Sequence, residues 1–251
     1  IFLTLFIYLG IPFFFDYKNN QSDLERKIFE NFDLNLSFTS KVKYNIFPSP
    51  RLNLKNVEIL SFSESSKNIG SVKKVILKIP FKRLVSLKKL DFDSIELIDA
   101  VINIKTSEIN NFKNYLNNKA REKPIQLTKS KINLLDKTKL LFNIDIKKLR
   151  ISGKSLFNKL DLKGRIFDTK IEINYQNKNF NKNSEKNVEI WLPEIGLNSK
   201  LSINPDKKNN ETIYGRVGVF FPSNQIYLDY ILRNKIFNIS SSRLTNNYFK
   251  G

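Results

Sequence analysis

The chain has 251 residues, 41% of them apolar, enough to bury a core in one large domain or two small ones, so a disordered tail is excluded. Lys and Arg outnumber Asp and Glu by 43 to 24, giving a net charge of +19. The Lys residues are spread along the chain and accompany abundant Asn, Ile and Phe, so A/T-rich codon bias accounts for the charge more simply than a nucleic-acid site, which needs clustered cations.

Cys and His are both absent. That removes disulfides, thiolate nucleophiles, soft metal sites and the commonest general base, so no enzyme and no cofactor is expected, while the compartment stays open.

Residues 1–15, IFLTLFIYLGIPFFF, carry no charge. A helix needs about 20 residues to cross a hydrocarbon core, and the chain contains no Met, so the true start is expected upstream and the span is expected to be cut. A signal peptide would require a small-x-small cleavage site, which Phe13 to Tyr17 do not offer. The expectation is an uncleaved transmembrane anchor, with Pro12 and the aromatic residues near one interface. The residues that would fix its orientation by positive charge lie before Ile1.

Ser22 and Glu25 next have capping-box spacing, and Leu24, Ile28 and Phe32 recur at i, i+4 and i+8. This predicts a short amphipathic helix ending near Asn31, whose apolar stripe caps a sheet. From Leu34 the period changes to two: Leu34, Leu36 and Phe38, then Val42, Tyr44 and Ile46, alternate with polar residues, and Pro48 and Pro50 mark a turn. The alternation returns at Val75, Leu77 and Ile79, at Ile102 and Ile104, at Ile171, Ile173 and Tyr175, at Val188, Ile190 and Leu192, and from Ile226 to Leu232. Such a pattern predicts an all-β plan of antiparallel hairpins.

Three segments share an eight-residue pattern with a slip of phase at the centre: LNLKNVEI at 52–59, LDFDSIEL at 90–97 and IDIKKLRI at 144–151. Side chains alternate faces, so a bulge or bend must restore the register. Unequal spacings argue against a solenoid. Residues 107–131 form the longest polar stretch; Ile109, Phe112, Tyr115 and Leu116 suit a short helix before Pro124, making it the best candidate boundary. Residues 176–187 and 204–211 are expected to be hairpin loops.

Enzymatic motifs are weak. Gly153-Lys154-Ser155 ends like a phosphate-binding loop, but Lys148 stands where the earlier glycine belongs. Asp91, Asp93 and Glu96 could supply acid, base or hard-cation ligands, yet they are more simply the wet side of the second repeat. Trp191, between Ile190 and Leu192, is expected to face outward on a sheet or to serve as a rim anchor.

Taken together, the apolar span, the helix SDLERKIF, the strands LNLSF and VKYNI, the run FPSPRLNLKNVEIL and the segment from GSVKKVILKIPF to DAVINI resemble the N-terminal region of the AsmA family. Pro48-Ser49-Pro50, Val57 and residues 84–97 stand where that family has a turn, the bend of a Leu-rich strand and the next strand. The resemblance is specific over about the first 105 residues and looser beyond.

It implies a bacterial inner-membrane, single-pass protein with its bulk in the periplasm, related in architecture to bridge-like lipid transfer proteins. The expected fold is mainly β, with a transmembrane helix at 1–15, an AsmA-like β region at 16–106, a polar loop or short helix at 107–131, and the sheet continuing over 132–251. The sheet is expected to be an extended, bent, antiparallel groove, incomplete at both ends. The expected function is holding or conducting phospholipid between inner and outer membranes, with acyl chains as the partner. An assembly factor for outer-membrane proteins, pairing clients at sheet edges, is the alternative. Alternation assigns Val42, Tyr44, Ile46, Leu52, Leu54, Ile95, Leu97, Ile144 and Ile146 to the lipid-facing side, and Lys43, Asn45, Asn53, Glu96 and Asp145 to water.

Overall fold

The computed structural model describes residues 2–60, 67–84, 90–111, 123–154, 157–180, 183–205, 212–233 and 236–246. These residues form a mainly β fold, and the chain divides into two compact units, 1–148 and 149–251.

Unit 1 opens with helix α1 (Phe2–Gly10), which passes at once into a 3-10 turn at Ile11–Phe14. Pro12 has no amide to donate and cannot continue the helix; Phe15 is already extended. The stretch expected to form one transmembrane helix is therefore broken, and α1, at 1.5 Å per residue, is about 14 Å long. Among the described residues no helix is long and apolar enough to cross a membrane.

Helix α2 (Gln21–Phe32) carries the expected stripe, with Leu24, Ile28 and Phe32 buried. Its start differs from the predicted capping box. Asn20 is the N-cap, Ser22 lies inside the helix, and Glu25 instead accepts the Phe38 amide and the Gln21 side-chain amide. Asp33, in the left-handed region at φ 54°, ends it by donating its amide to the Phe29 carbonyl at 2.7 Å. Burying each stripe residue contributes about 2 kcal/mol. Phe32 stacks on Phe92 with ring centres 6.4 Å apart, and Glu25 and Gln21 bond the backbone of Phe38, so the helix packs against the strand that ends at Phe38 and the segment around Phe92.

That sheet follows from β1 (Leu36–Phe38), β2 (Lys43–Asn45), β3 (Arg51–Leu60), β4 (Asn68–Lys78), β5 (Ser94–Lys105), β6 (Ile125–Asp136) and β7 (Lys139–Lys154), the last running past the boundary between units. β1 and β2 both pair with β3, and β3, β4 and β5 are successive antiparallel neighbours. β5 and β6 are parallel, from Ile95↔Ile125 to Lys105↔Leu135, so the sheet is mixed where an antiparallel one was expected. A parallel return needs a dozen or more linking residues, which 106–124 supply. Of the stretch 107–131, residues from Ile125 onward are strand; 112–122, which hold most of the suggested helix, fall outside the described residues.

The slip of phase has a backbone cause. Asn56, Asp99 and Lys129 all adopt left-handed conformations, with φ between 49° and 53°. They stand in one row across the sheet: Lys55↔Lys74 and Val57↔Val72 flank the first, Lys74↔Ile98 and Val72↔Ala100 the second, Ile98↔Thr128 and Val101↔Lys131 the third. On each side of the row the buried set changes parity, from Leu54 to Val57 and from Leu97 to Ala100. The register carries straight through because neighbouring strands slip together. Of the three repeats, LNLKNVEI alone carries its slip on such a residue: Leu90 to Asp93 precede β5, whose turning residue, Asp99, lies beyond the 90–97 segment, and β7 runs through 144–151 with no left-handed residue.

Unit 2 continues with β8 (Phe157–Ile166), β9 (Thr169–Phe180), β10 (Asn183–Leu192), β11 (Leu197–Pro205), β12 (Thr212–Phe220), β13 (Asn224–Arg233) and β14 (Ile236–Asn246), each from β9 onward antiparallel to the one before. Residues 176–180 and 183–187, expected as loop, are strand, pairing from Asn187↔Gln176 to Asn183↔Phe180. Of 204–211, Asn204 and Pro205 belong to β11, and 206–211 lie outside the described residues. In hydrogen-bonded order the strands form one 14-stranded sheet.

Candidate apolar binding face

In an antiparallel sheet, residues paired across strands share a face. Unit 2 therefore carries an apolar row over seven strands: Leu162, Ile173, Ile190, Ser199, Val219, Ile226 and Leu244 are successive partners. Beside it runs a second, Leu160, Tyr175, Val188, Leu201, Val217, Leu228 and Ser242. The first six strands contribute mostly half-buried side chains to these rows, whereas β14 exposes Phe237, Ile239 and Leu244 by more than half. Within unit 2 the sole non-strand element among the described residues is the 3-10 turn Pro193–Ile195. Among the described residues, no helix of this unit plays the part that α2 plays in unit 1.

Most of the charge lies on the opposite face; Lys186, two residues before Val188 and paired with Asn177 and Ile203, stands on the apolar side. Lys163 pairs with Glu172 at 2.9 Å, Lys200 with Glu189 at 3.2 Å, and the Arg216 guanidinium grips both oxygens of Asp229 at 2.6 and 3.0 Å. These hydrogen bonds, with one from Ser241, hold the Asp229 carboxyl at about 2. A depression of about 610 Å³ opens on this side between Arg216, Tyr227, Asp229 and Arg243. Within it the Arg216 guanidinium is held by Asp229, and Arg243 lines the wall beside them. Trp191 stands on the charged face too, between Glu172 and Asn198, and is exposed.

The residues assigned to lipid from the sequence lie in unit 1. Leu52, Leu54, Ile95 and Leu97 are at most 1% exposed, and Val42, Tyr44 and Ile146 are also buried; Ile46 and Ile144 are half-buried. Pairs Leu52↔Leu77, Leu54↔Val75, Leu77↔Ile95 and Val75↔Leu97 put four of them in one interior layer. Of the residues assigned to water, Lys43 and Asn45 are exposed, and Asn53, Glu96 and Asp145 are half-exposed; Asp145 pairs with Lys131 at 3.1 Å.

Two carboxylates of the second repeat are engaged, each with its own partners. Glu96 accepts from Gln126 and Thr128 on the parallel neighbour at 3.0 and 2.8 Å. Asp91 accepts from Lys123 and the Phe92 amide and faces Arg83 at 3.6 Å. Burial raises its carboxyl, but the Lys123 and Phe92 hydrogen bonds and the two cations hold it below its ordinary value. Asp93 is exposed. Among the described residues no three His, Cys, Asp or Glu side chains converge as metal ligands do. Gly153 and Lys154 close strand β7, and Ser155 lies outside the described residues.

Sequence reading recognised Ile171, Ile173, Val188, Ile190, Ile226 and Leu228 as strand residues without assigning them to a binding face. Their alternation carried that signal. What it could not carry was the difference between an apolar face covered by a helix and one left open.

Comparison with protein-family models, with curated proteins and with solved structures gives no match.

Proposed function

We propose that the protein is an envelope protein of the AsmA type that holds phospholipid acyl chains against an apolar sheet face, at the periplasmic side of the bacterial inner membrane, and performs no chemistry on them. The observation that carries this reading is the pair of apolar rows in unit 2, from Leu162 to Leu244 and from Leu160 to Leu228, opposite a face of ion pairs. A large apolar surface left open on a soluble-looking sheet requires a second layer or a cargo. Acyl chains suit it because the two rows contain mostly aliphatic side chains and the ion pairs lie on the reverse side, with Lys186 the charged residue at one edge of the apolar rows.

Within the proposal, the working face is that of unit 2, and the interior of unit 1 serves as a folded core. Binding of this kind draws on dispersion and apolar burial, about 25 cal/mol per Å² of area covered, so it discriminates chain length better than headgroup.

The test is photo-crosslinking in cells. A crosslinker at Leu201 or Ile190 is expected to capture phospholipid, and one at Lys200 or Lys163 is not. Equal capture on both faces, or capture of outer-membrane protein strands in place of lipid, would overturn the proposal.

A further inference from the structure

At the end of unit 1 where β3 begins and β4 ends, two turns are held side by side, the Ile79 amide donating to the Pro50 carbonyl at 2.9 Å. The N-terminal segment is tied to β2 and to the turn that follows β4. Tyr8 donates its hydroxyl to the Phe81 carbonyl at 2.7 Å, Tyr44 donates to the Leu9 carbonyl at 3.0 Å, and Phe13 packs edge-on against Tyr44 with ring centres 4.9 Å apart. Arg51 donates to the Phe47 carbonyl and steadies the first turn.

These bonds fix the backbone while leaving the large side chains outside. Phe14 is 90% exposed, Phe47 84% and Phe81 54%. Lys18, Lys82 and Arg83 are exposed on the same segments. Of the acidic groups nearby, Asp16 accepts from Asn19 and Asp91 from Lys123, while Asp93, whose amide donates to the Lys78 carbonyl at 2.8 Å, is exposed. The result is an aromatic cluster with a cationic rim.

An anionic bilayer surface complements that arrangement on both counts. Aromatic rings settle at the boundary between headgroups and acyl chains, and Lys or Arg beside them gain from anionic phosphate. We propose that this end of unit 1 docks on an anionic lipid bilayer, with Phe14, Phe47 and Phe81 inserted at the boundary and Lys18 and Lys82 on lipid phosphates. The inference rests on the membrane setting of the proposed function and not on the apolar face of unit 2.

Because Trp191 is the sole tryptophan, a Trp191→Phe chain can carry one reporter at a time. Phe47→Trp and Phe81→Trp probe the patch; Val101→Trp, on an exposed β5 position seven residues and about 23 Å from Ser94, is the control. The whole chain is reconstituted with vesicles of zwitterionic phospholipid containing about one third anionic lipid, with brominated acyl chains as quencher. Quenching is expected for the reporters at 47 and 81 and not at 101, and Lys18→Glu with Lys82→Glu is expected to weaken vesicle binding at least about tenfold.

Unquenched reporters at 47 and 81, equal quenching at all three positions, or burial of the patch in a dimer seen by light scattering without lipid would overturn the inference. Loss of lipid capture at Leu201 with quenching at 47 retained would reject the acyl-chain reading alone.

Discussion

The ring of Tyr230 occupies the space above Gly215, its partner on the neighbouring strand: a Cβ placed at Gly215 would come within 2.3 Å of the Tyr230 ring and hydroxyl. The hydroxyl reaches over this gap to donate to the Ser202 carbonyl at 3.2 Å, and Phe237 stacks on the ring with centres 5.1 Å apart. One side chain thus links β11, β12, β13 and β14 on the face proposed to hold lipid.

Gly215→Val should therefore displace Tyr230 and cost about 1 to 3 kcal/mol, since the Ser202 carbonyl also stands 2.3 Å from the new Cβ and backbone cannot yield as a side chain can. Tyr230→Phe, which keeps the ring and loses only the hydrogen bond, should cost about 1 kcal/mol. Urea denaturation measures both. Equal costs would mean that the ring's place over the glycine contributes nothing.

A second prediction concerns the row of left-handed residues. There the Ala100 amide donates to the Ser130 hydroxyl at 3.1 Å, and Ser130 in turn donates to the Thr128 carbonyl at 3.0 Å, in a site where Ser130 is buried. Ser130→Ala leaves a buried amide without a partner and should lower stability by about 1 to 3 kcal/mol. Asn56→Val, which forces a β-branched residue into the left-handed region, should cost about 1 to 2 kcal/mol. Both are read from thermal or urea unfolding, and a neutral Ser130→Ala would contradict the assigned hydrogen bond.

The third prediction separates core from face. Leu54 is fully buried in unit 1, whereas Leu201 is half-buried in unit 2. Leu54→Ala should cost about 2 to 5 kcal/mol through lost transfer energy and the cavity left behind. Leu201→Ala should cost about 1 kcal/mol, because much of its surface is already in water. In the proposed function the order reverses for lipid retained on purification, with Leu201→Glu lowering it in a protein that still folds. Mass spectrometry of extracted lipid checks this.

The fourth follows from Asp229. Its carboxyl is depressed from 3.8 to about 2, so the folded state holds its proton less tightly than the unfolded chain does. The contribution is present above about pH 3.8 and is lost as pH falls toward 2. Carboxyl NMR should show Asp229 titrating well below 3.8, and Asp229→Asn should flatten the acid limb of the stability profile slightly, since the pair with Arg216 is solvent-screened. An Asp229 midpoint near 4 would contradict the geometry.

Much of this fold follows from periodicity alone. Leu24, Ile28 and Phe32 fall on one side of any α-helix, and Leu52 and Leu54 on one side of any strand, because 3.6 and 2 residues per repeat are backbone properties that need no neighbours. The phase slip in LNLKNVEI was legible for the same reason. Two local readings failed where side-chain polarity misleads. Residues 176–187 look like loop, but the strand ladder is made by backbone amides and carbonyls, so Asn, Lys and Gln can line two paired strands. Residues 1–15 look like one span until Pro12 interrupts the helix.

Sequence by itself determined which side chains share a face, where α2 lies, that both units are β, and that His and Cys chemistry is absent. Tertiary structure alone decided that β5 and β6 run parallel, that the turning residues Asn56, Asp99 and Lys129 align in one row, and that Leu52 and Leu54 are sealed in a core while Leu201 and Ile190 remain half-open. The reason is physical: alternation fixes the direction of a side chain relative to its own backbone, whereas burial depends on what distant residues pack against it, and a covered and an uncovered apolar face have the same pattern.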